Sequence, residues 1–373
     1  MADIGAIDWS AVEQQAAKFA WLPRLIPAPG RRRHRLGNCS IVVEWLVLAT
    51  IGTLGMAERV DEDLAELAQA HLPGFARLLQ RMAAADREGF FAFLSEVLVA
   101  AWYLRSGREV RDVHADSGLG DLVIADGQAT AHVEVMELSI PARHTLWRER
   151  WSELITRLKL LRLPFGVSVY GPNDVRYTEH LTGLGTWIQD PAPDLHDLDW
   201  VVKQVEARRT TPRPWRLEKG FSKKYPDLWI EALDEPDGVV VSSGGIGWHY
   251  HPSQLADRIL GKPAPKVSGR RVLMVEVSRL ADETLIDERE RAEVRRLIAD
   301  RVKSWDAIIA FTRWWKSAGV ADVYALHLSG EPANILPIWP GVPWASGLRG
   351  SQDDGVAWRQ PGVEPGDVSP RRQ

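Results

Sequence analysis

The chain has 373 residues, of which 45% are hydrophobic and 26% charged, values typical of a folded protein with a substantial core. Its net charge of −4 excludes a strongly basic overall field, so any nucleic-acid-binding surface has to be local. The single cysteine, Cys39, excludes an intramolecular disulfide and a zinc site built from several thiolates. We therefore expect a reducing, cytoplasmic location.

The first 85 residues predict an all-helical region. Apolar residues recur at three- and four-residue steps over 8–22, 40–57 and 61–82, and Pro73 should break the last of these helices. The uncharged run 45–57 covers only 13 residues, whereas a membrane-spanning helix needs about 20. We therefore predict a buried helix there and no membrane span. The surface of these helices could dock a protein partner.

Residues 86–340 carry the mixed pattern of an α/β domain. The apolar stripe of a helix is followed by three short strand patterns, and Asp126-Gly127 between the second and third is typical of a hairpin turn. In order, the predicted elements are a helix that ends near Gly107, strands at 109–115, 119–125 and 130–138, a helix at about 146–162 and a strand at 165–170. This order predicts a mixed central sheet flanked by helices.

The second half of this domain is predicted to contain an insertion and further strands. The insertion covers about 172–270; its first part is rich in Pro, Asp and Arg, and a hairpin is predicted at 228–242. Further elements are strands at 272–277, 307–312 and 323–328 and a charged helix at about 287–303. The tail 341–373 is dominated by Gly, Pro, Ser and charge, which predicts disorder.

Two carboxylates are predicted to meet on the first hairpin. Alternation along a strand puts His132, Glu134 and Met136 on one face, and the hairpin brings Asp121 next to Glu134. Two hard oxygen ligands can hold Mg²⁺ or Mn²⁺, which polarises a phosphodiester oxygen and lowers the pKa of its bound water. His132 is either a proton carrier for this site or a structural neighbour.

The segment from about 88 to 171 resembles the core of the PD-(D/E)XK nuclease superfamily, a restriction-endonuclease-like fold with the element order α-β-β-β-α-β. The resemblance implies that Asp121 is the first acid of the motif and Glu134 the second, with Glu96 in the preceding helix as an additional metal ligand. It also implies a metal-dependent phosphodiester hydrolase that acts on DNA, for which a role in bacterial defence would be usual.

The chain departs from the motif at one position. The superfamily's lysine falls at residue 136, where this chain has Met136, and a thioether neither donates a hydrogen bond nor carries charge. Two interpretations follow. In one, Lys159 on the following helix takes the lysine's role, as a residue there does in some relatives. In the other, catalysis is lost and the domain is a module that binds nucleic acid or a protein, so the sequence leaves open whether the protein is an enzyme.

A basic strip between Lys203 and Tyr225 is the candidate nucleic-acid surface. It has eight positive charges against two negative ones, with aromatic residues interleaved. Such a strip could contact phosphates while its rings stack on bases, and the alternative is a solvated loop. The candidate contact residues are Arg208, Arg209, Arg213, Arg216, Lys219, Lys223 and Lys224. Lys262 and Lys266, which precede the strand at 272–277, could add to a phosphate-facing surface.

Overall fold

The structure is a computed structural model in which most of the chain is described. The described residues are 6–36, 39–52, 55–105, 107–114, 119–126, 129–138, 142–170, 195–217, 229–233, 240–243, 251–277, 288–315, 321–329 and 355–358.

Helices and strands follow one another along the chain in a mixed α/β order. The helices are α1 (Trp9–Ala16), α2 (Ile41–Ala49), α3 (Gly55–Gln69), α4 (Phe75–Ala84), α5 (Arg87–Arg105), α6 (Ala142–Leu160), α7 (Leu195–Ala207), α8 (Pro252–Leu260) and α9 (Glu288–Ala299). The strands are β1 (Glu109–Val113), β2 (Leu122–Asp126), β3 (Ala129–Glu137), β4 (Gly166–Tyr170), β5 (Arg216–Leu217), β6 (Trp229–Leu233), β7 (Val240–Ser243), β8 (Arg270–Glu276), β9 (Ala307–Trp315), β10 (Ala321–Ser329) and β11 (Gly355–Trp358).

The main sheet has seven strands in the order β1-β2-β3-β8-β9-β10-β11. Its centre is parallel, since β8 pairs in parallel with both β3 and β9, whereas the outer pairs are antiparallel. β2 and β3 pair as the Asp126-Gly127 signal predicts, with Leu122 across from Val133. The predicted mixed sheet flanked by helices is confirmed.

The two faces of the main sheet contact different apolar cores. Side chains alternate along β3, so Val133 and Val135 lie in a core shared with α5, whereas Met136 and Leu138 contact the core of α8 and α9. The central strand β8 is apolar on both sides, because its residues 272–275 are all buried.

The N-terminal helices belong to the first of these cores. Apolar residues of α1 to α4 pack in one cluster with α5 and strands β1 to β3. A charged contact supports the joint, since Arg105 of α5 pairs with the buried Asp63 of α3. The chain leaves helical structure between α3 and α4, around Pro73, as predicted. The boundary expected near residue 85 therefore divides a single core.

A second sheet of four short strands has the order β5-β6-β4-β7. The prediction that the strand at 165–170 continues the first sheet is wrong, because β4 pairs with β6 and β7, and β8 takes the place next to β3. The hairpin predicted at 228–242 is also wrong, since β6 and β7 pair with opposite edges of β4. Apolar residues of α6 and α7, such as Leu158 and Val201, cover this sheet in a core of their own. The insertion in the main sheet therefore begins directly after β3.

Part of the tail predicted to be disordered forms a strand. Gly355–Trp358 is β11, which pairs antiparallel with β10. The disorder prediction is wrong for these residues, because the free hydrogen-bonding edge of β10 provides partners that composition does not reveal. Residues 341–354 and 359–373 lie outside the described part of the chain.

Gly74→Ala is expected to destabilise the joint between α4 and β1. Gly74 has φ +77°, and a Cβ there would lie 1.8 Å from the backbone oxygen of Val113. Because backbone would have to move, we expect the free energy of unfolding to fall by about 3 kcal/mol, measured by urea denaturation. Gly107→Ala is the matched control, since Gly107 has φ +73° with open space around it, and it should cost about 1 kcal/mol. Equal losses in the two variants would contradict the role of the close contact.

Candidate metal centre

The carboxylate of Asp121 is held at the open end of the β2–β3 pair. Gly120 has φ +90°, and a Cβ there would lie 2.9 Å from the backbone oxygen of Val133, so glycine permits the close approach of the two chains. One step beyond the paired residues of the ladder, Asp121 lies across from Glu134. Asp121 Oδ2 also accepts a hydrogen bond of 2.8 Å from the backbone N–H of Val135. The predicted juxtaposition of the two strand acids thus follows from the register.

Helix α5 adds a third carboxylate, Glu96, which is buried. Ligand atoms of Glu96, His114 and Asp121 all lie within 4.8 Å of one another. His114 Nδ1 lies 3.0 Å from Glu96 Oε2. Burial raises the pKa of Glu96 above its ordinary value, and the hydrogen bond with His114 opposes that rise. The structure therefore brings Glu96 to the strand acids, where the resemblance placed it, and adds His114, whose part in the site the sequence did not predict.

The pKa of Asp121 is strongly raised in this cluster. Burial, followed by the charges of Glu96 and Glu134, raises its pKa to about 7. The backbone N–H of Val135 and the ammonium of Lys262 act in the opposite direction. The three acids therefore repel one another in a partly desolvated space, and a cation between them would relieve this repulsion.

The donor set suits a hard divalent cation. Carboxylate oxygens are the ligands that Mg²⁺ and Mn²⁺ prefer, whereas a soft metal would favour thiolates. Cys39 takes no part, since its thiol donates to the backbone oxygen of Leu36 in the N-terminal region. Glu96 and Asp121, whose ligand atoms lie within 4.8 Å of each other, could thus hold such an ion. Glu134, whose charge acts on both, is the third candidate.

The ammonium at this site is that of Lys262. Its Nζ lies 2.6 Å from Glu134 Oε1, and the Lys262 side chain is 29% exposed. Lys262 follows α8, the helix that leads into β8, and β8 lies next to β3. The lysine therefore reaches the carboxylates from the neighbouring crossover. The sequence signal for it was only its position before an apolar strand.

Lys159 lies in a different environment. Burial lowers its pKa, and the Glu44 carboxylate of α2 opposes this. Glu44 also accepts a hydrogen bond from Thr156 of α6. The charged groups with the largest effects on the pKa of Asp121 are Glu96, Glu134 and Lys262. This geometry corrects the prediction that Lys159 lies at the carboxylates. Helix α6, which carries Lys159, belongs to the insertion and packs with α2 and α7.

His132 and Met136 share the strand face of Glu134 but have structural contacts. The Nδ1 of His132 lies 2.9 Å from the backbone oxygen of Leu119, which can only accept, so Nδ1 donates. Met136 packs against the core of α8 and α9. The proton-carrier role of His132 stays a prediction, with Nε2 as the available nitrogen.

The predicted basic strip is only partly described, and several of its arginines have intramolecular partners. Arg209 donates to the backbone oxygens of Leu161 and Arg162, just after α6. Arg208 donates to Gln204. Arg213 lies over the ring of Phe165 at 5.6 Å, Arg216 belongs to β5, and Lys219, Lys223 and Lys224 lie outside the described residues. The nucleic-acid role of the strip stays a prediction, and Arg209 already has a structural task.

No protein-family model matches this chain, and no curated protein and no solved structure is significantly similar to it. Within the described ranges no helix is long and apolar enough to cross a membrane. The helix expected in the apolar run is α2, almost all of which is buried. The case for a function therefore rests on the geometry of the carboxylate site.

Proposed function

We propose that this protein is a metal-dependent phosphodiester hydrolase of the PD-(D/E)XK type that acts on DNA. The observation that carries the proposal is the approach of Glu96 and Asp121, from a helix and a strand, with ligand atoms within 4.8 Å of each other. The charge of Glu134 on the neighbouring strand acts on both of them, and the Lys262 ammonium lies against Glu134. The three acids are the ligands of Mg²⁺ or Mn²⁺, and Lys262 takes the role of the motif lysine. A part in bacterial defence is the setting in which such an activity would be usual.

The order of elements supports this proposal once the insertion is set aside. The order α-β-β-β-α-β is then formed by helix α5, strands β1, β2 and β3, helix α8 and strand β8. Strand β8 is parallel to β3. Residues 139–250, which contain α6, α7 and the second sheet, lie between β3 and α8. The helix that precedes the fourth core strand is then α8, and Lys262 lies directly after it.

The residues of the site divide the chemistry between them. When bound, the cation supplies Lewis-acid polarisation of the phosphodiester and a more acidic bound water. Glu96, Asp121 and Glu134 hold it by their oxygen atoms. Lys262 places a positive charge beside Glu134, where it stabilises the negative charge that develops on the attacked phosphate. Met136 offers neither an oxygen ligand for the cation nor a positive charge. Its packing in the apolar core is consistent with a structural role.

The inactive-module interpretation remains the alternative, and its supporting observation is Met136 at the motif position. A chain without catalysis has no need to keep one buried and two partly buried acids together with an ammonium. We therefore rank hydrolysis first, and cation binding without cleavage is the result that would favour the module.

Mn²⁺ binding measured by calorimetry is the first test. Wild type is expected to bind one ion, and Asp121→Ala and Glu134→Ala to bind it more than about 100-fold more weakly, because each removes an oxygen ligand. Glu109→Ala is the matched control, since Glu109 is an exposed acid on β1 whose partner is Arg111, and its affinity should equal that of wild type.

Cleavage is then assayed on labelled single- and double-stranded DNA, with RNA of the same sequence for comparison, in Mn²⁺ and in a chelator. The proposal expects cleavage of DNA that the chelator and both site variants abolish. Folded wild-type protein that binds no Mn²⁺, with or without DNA, would falsify the metal-dependent function.

A further inference from the structure

His114, the residue after β1, is fixed from several sides. It is buried and has φ +50°, a left-handed conformation that is uncommon for residues other than glycine and clusters at functional sites. Its backbone oxygen accepts a bond of 2.6 Å from Arg77, and its ring packs edge-on against Phe93. The imidazole therefore has a single well-defined orientation towards Glu96.

The partners of the two ring nitrogens determine where the proton of His114 lies. Arg81 Nη1 lies 2.9 Å from Nε2, and a guanidinium nitrogen can only donate, so Nε2 accepts. A neutral imidazole then carries its proton on Nδ1, which lies 3.0 Å from Glu96 Oε2. Nδ1 consequently donates to the Glu96 carboxylate, and no ring nitrogen has a lone pair left for a metal.

With both ring nitrogens engaged, His114 is not itself a metal ligand, although its ring lies among the candidate ligands. The imidazole engages Glu96 Oε2, which leaves Oε1 as the oxygen that would bind a cation. Hydrogen bonds of this kind to a metal ligand fix its orientation, and their loss weakens metal binding about 10- to 100-fold. Arg81 holds the acceptor nitrogen of His114, and its charge also lowers the pKa of Glu96 directly.

We propose that Arg81 and His114 are positioning residues that hold Glu96 for the cation, an inference that rests on the proposed metal-dependent function. Arg81 lies on α4, so the N-terminal helical region completes the metal centre in addition to packing on it. Arg77, one turn earlier on the same helix, donates to the backbone oxygen of His114. It provides a matched control that removes a bond to the same residue but leaves the ring contacts in place.

The proton position is measured on metal-free protein by ¹⁵N NMR of labelled histidine. The chain has ten histidines, and the His114 signals are those missing in His114→Asn. The inference expects a protonated Nδ1 and an unprotonated Nε2. A protonated Nε2 would overturn it, whatever the metal does.

Mn²⁺ affinity of variants tests the positioning role, with thermal unfolding of the metal-free proteins to show that each is folded. His114→Leu should bind about 10- to 100-fold more weakly. His114→Asn should stay within about threefold of wild type, because asparagine accepts a left-handed backbone and can still donate to Glu96. Arg81→Leu should lose part of the affinity, and Arg77→Leu should lose thermal stability only.

The outcomes separate the inference from the function on which it rests. A folded His114→Leu that binds Mn²⁺ like wild type overturns the positioning role while the hydrolase proposal stands. If His114→Leu does not fold, equal affinities of Arg81→Leu and Arg77→Leu overturn it instead. A wild type that binds no Mn²⁺ removes the proposed function and this role of His114 together, and the NMR result then shows only whether the hydrogen-bond network exists.

Discussion

Lys262→Met is expected to lower the rate of DNA cleavage by about 10²- to 10³-fold, the loss seen when a donor to developing negative charge is removed from an active site. Methionine keeps the aliphatic length of the side chain but removes the ammonium that lies 2.6 Å from Glu134. Mn²⁺ affinity should be unchanged or higher, since the ion pair no longer competes for Glu134. The measurement is single-turnover cleavage together with calorimetry on the same protein.

Two lysines serve as controls for this variant. Lys266→Met changes an exposed lysine of the segment that follows α8, and Lys159→Met changes the lysine beside Glu44. Both should cleave at close to the wild-type rate, although Lys159→Met is expected to lose stability because Glu44 is left buried. Wild-type activity in Lys262→Met, with loss in Lys159→Met, would return the role to the helix α6.

Asp121→Asn is expected to stabilise the metal-free protein at pH 8 by on the order of 1–3 kcal/mol and to have little effect at pH 4. Burial and the neighbouring acids raise the pKa of Asp121 from 3.8 to about 7. The folded state therefore holds this proton more tightly than the unfolded state does. Its contribution to stability is fully present below about pH 4 and is lost as the pH rises through 7. Asparagine is neutral at every pH and avoids that loss.

Saturating Mn²⁺ should reverse the order of stability at pH 8, so that wild type becomes more stable than Asp121→Asn. The cation binds the folded wild type and raises its thermal midpoint, whereas Asp121→Asn, with a ligand removed, should gain little. Asp257→Asn is the control, because Asp257 is 60% exposed and pairs with Arg301 at the surface; its effect should not depend on Mn²⁺. An Asp121→Asn protein that is less stable than wild type at both pH values would contradict the proposed repulsion among the acids.

Local patterns were sufficient for the hairpin and its acids. Hydrophobic periodicity predicts α5, and the Asp126-Gly127 signal predicts the pairing of β2 with β3, which alone places Asp121 across from Glu134. These features depend on residues close together in the chain. The same holds for α2, whose 9 residues are too few for a membrane span.

Local sequence patterns could not decide whether β4 or β8 lies next to β3 in the main sheet. Both are short apolar strands that follow a helix, and periodicity carries no information about a strand's partner. One signal was present: the consecutive apolar residues 272–275 are typical of a central parallel strand covered on both faces. Ser168 breaks such a run in β4.

The sequence by itself determined helix α5, the β2–β3 pair and the identities of three metal-ligand candidates. These features follow from local periodicity, turn chemistry and motif spacing. Only the tertiary structure decided which lysine meets them, since that depends on whether α6 or α8 leads into the strand beside β3. It also brought His114 to Glu96 across 18 residues of chain and to Arg81 across 33. Contacts between distant segments are set by how the apolar faces of α4, α5 and the sheet pack together, and the pattern of any one segment does not encode that packing.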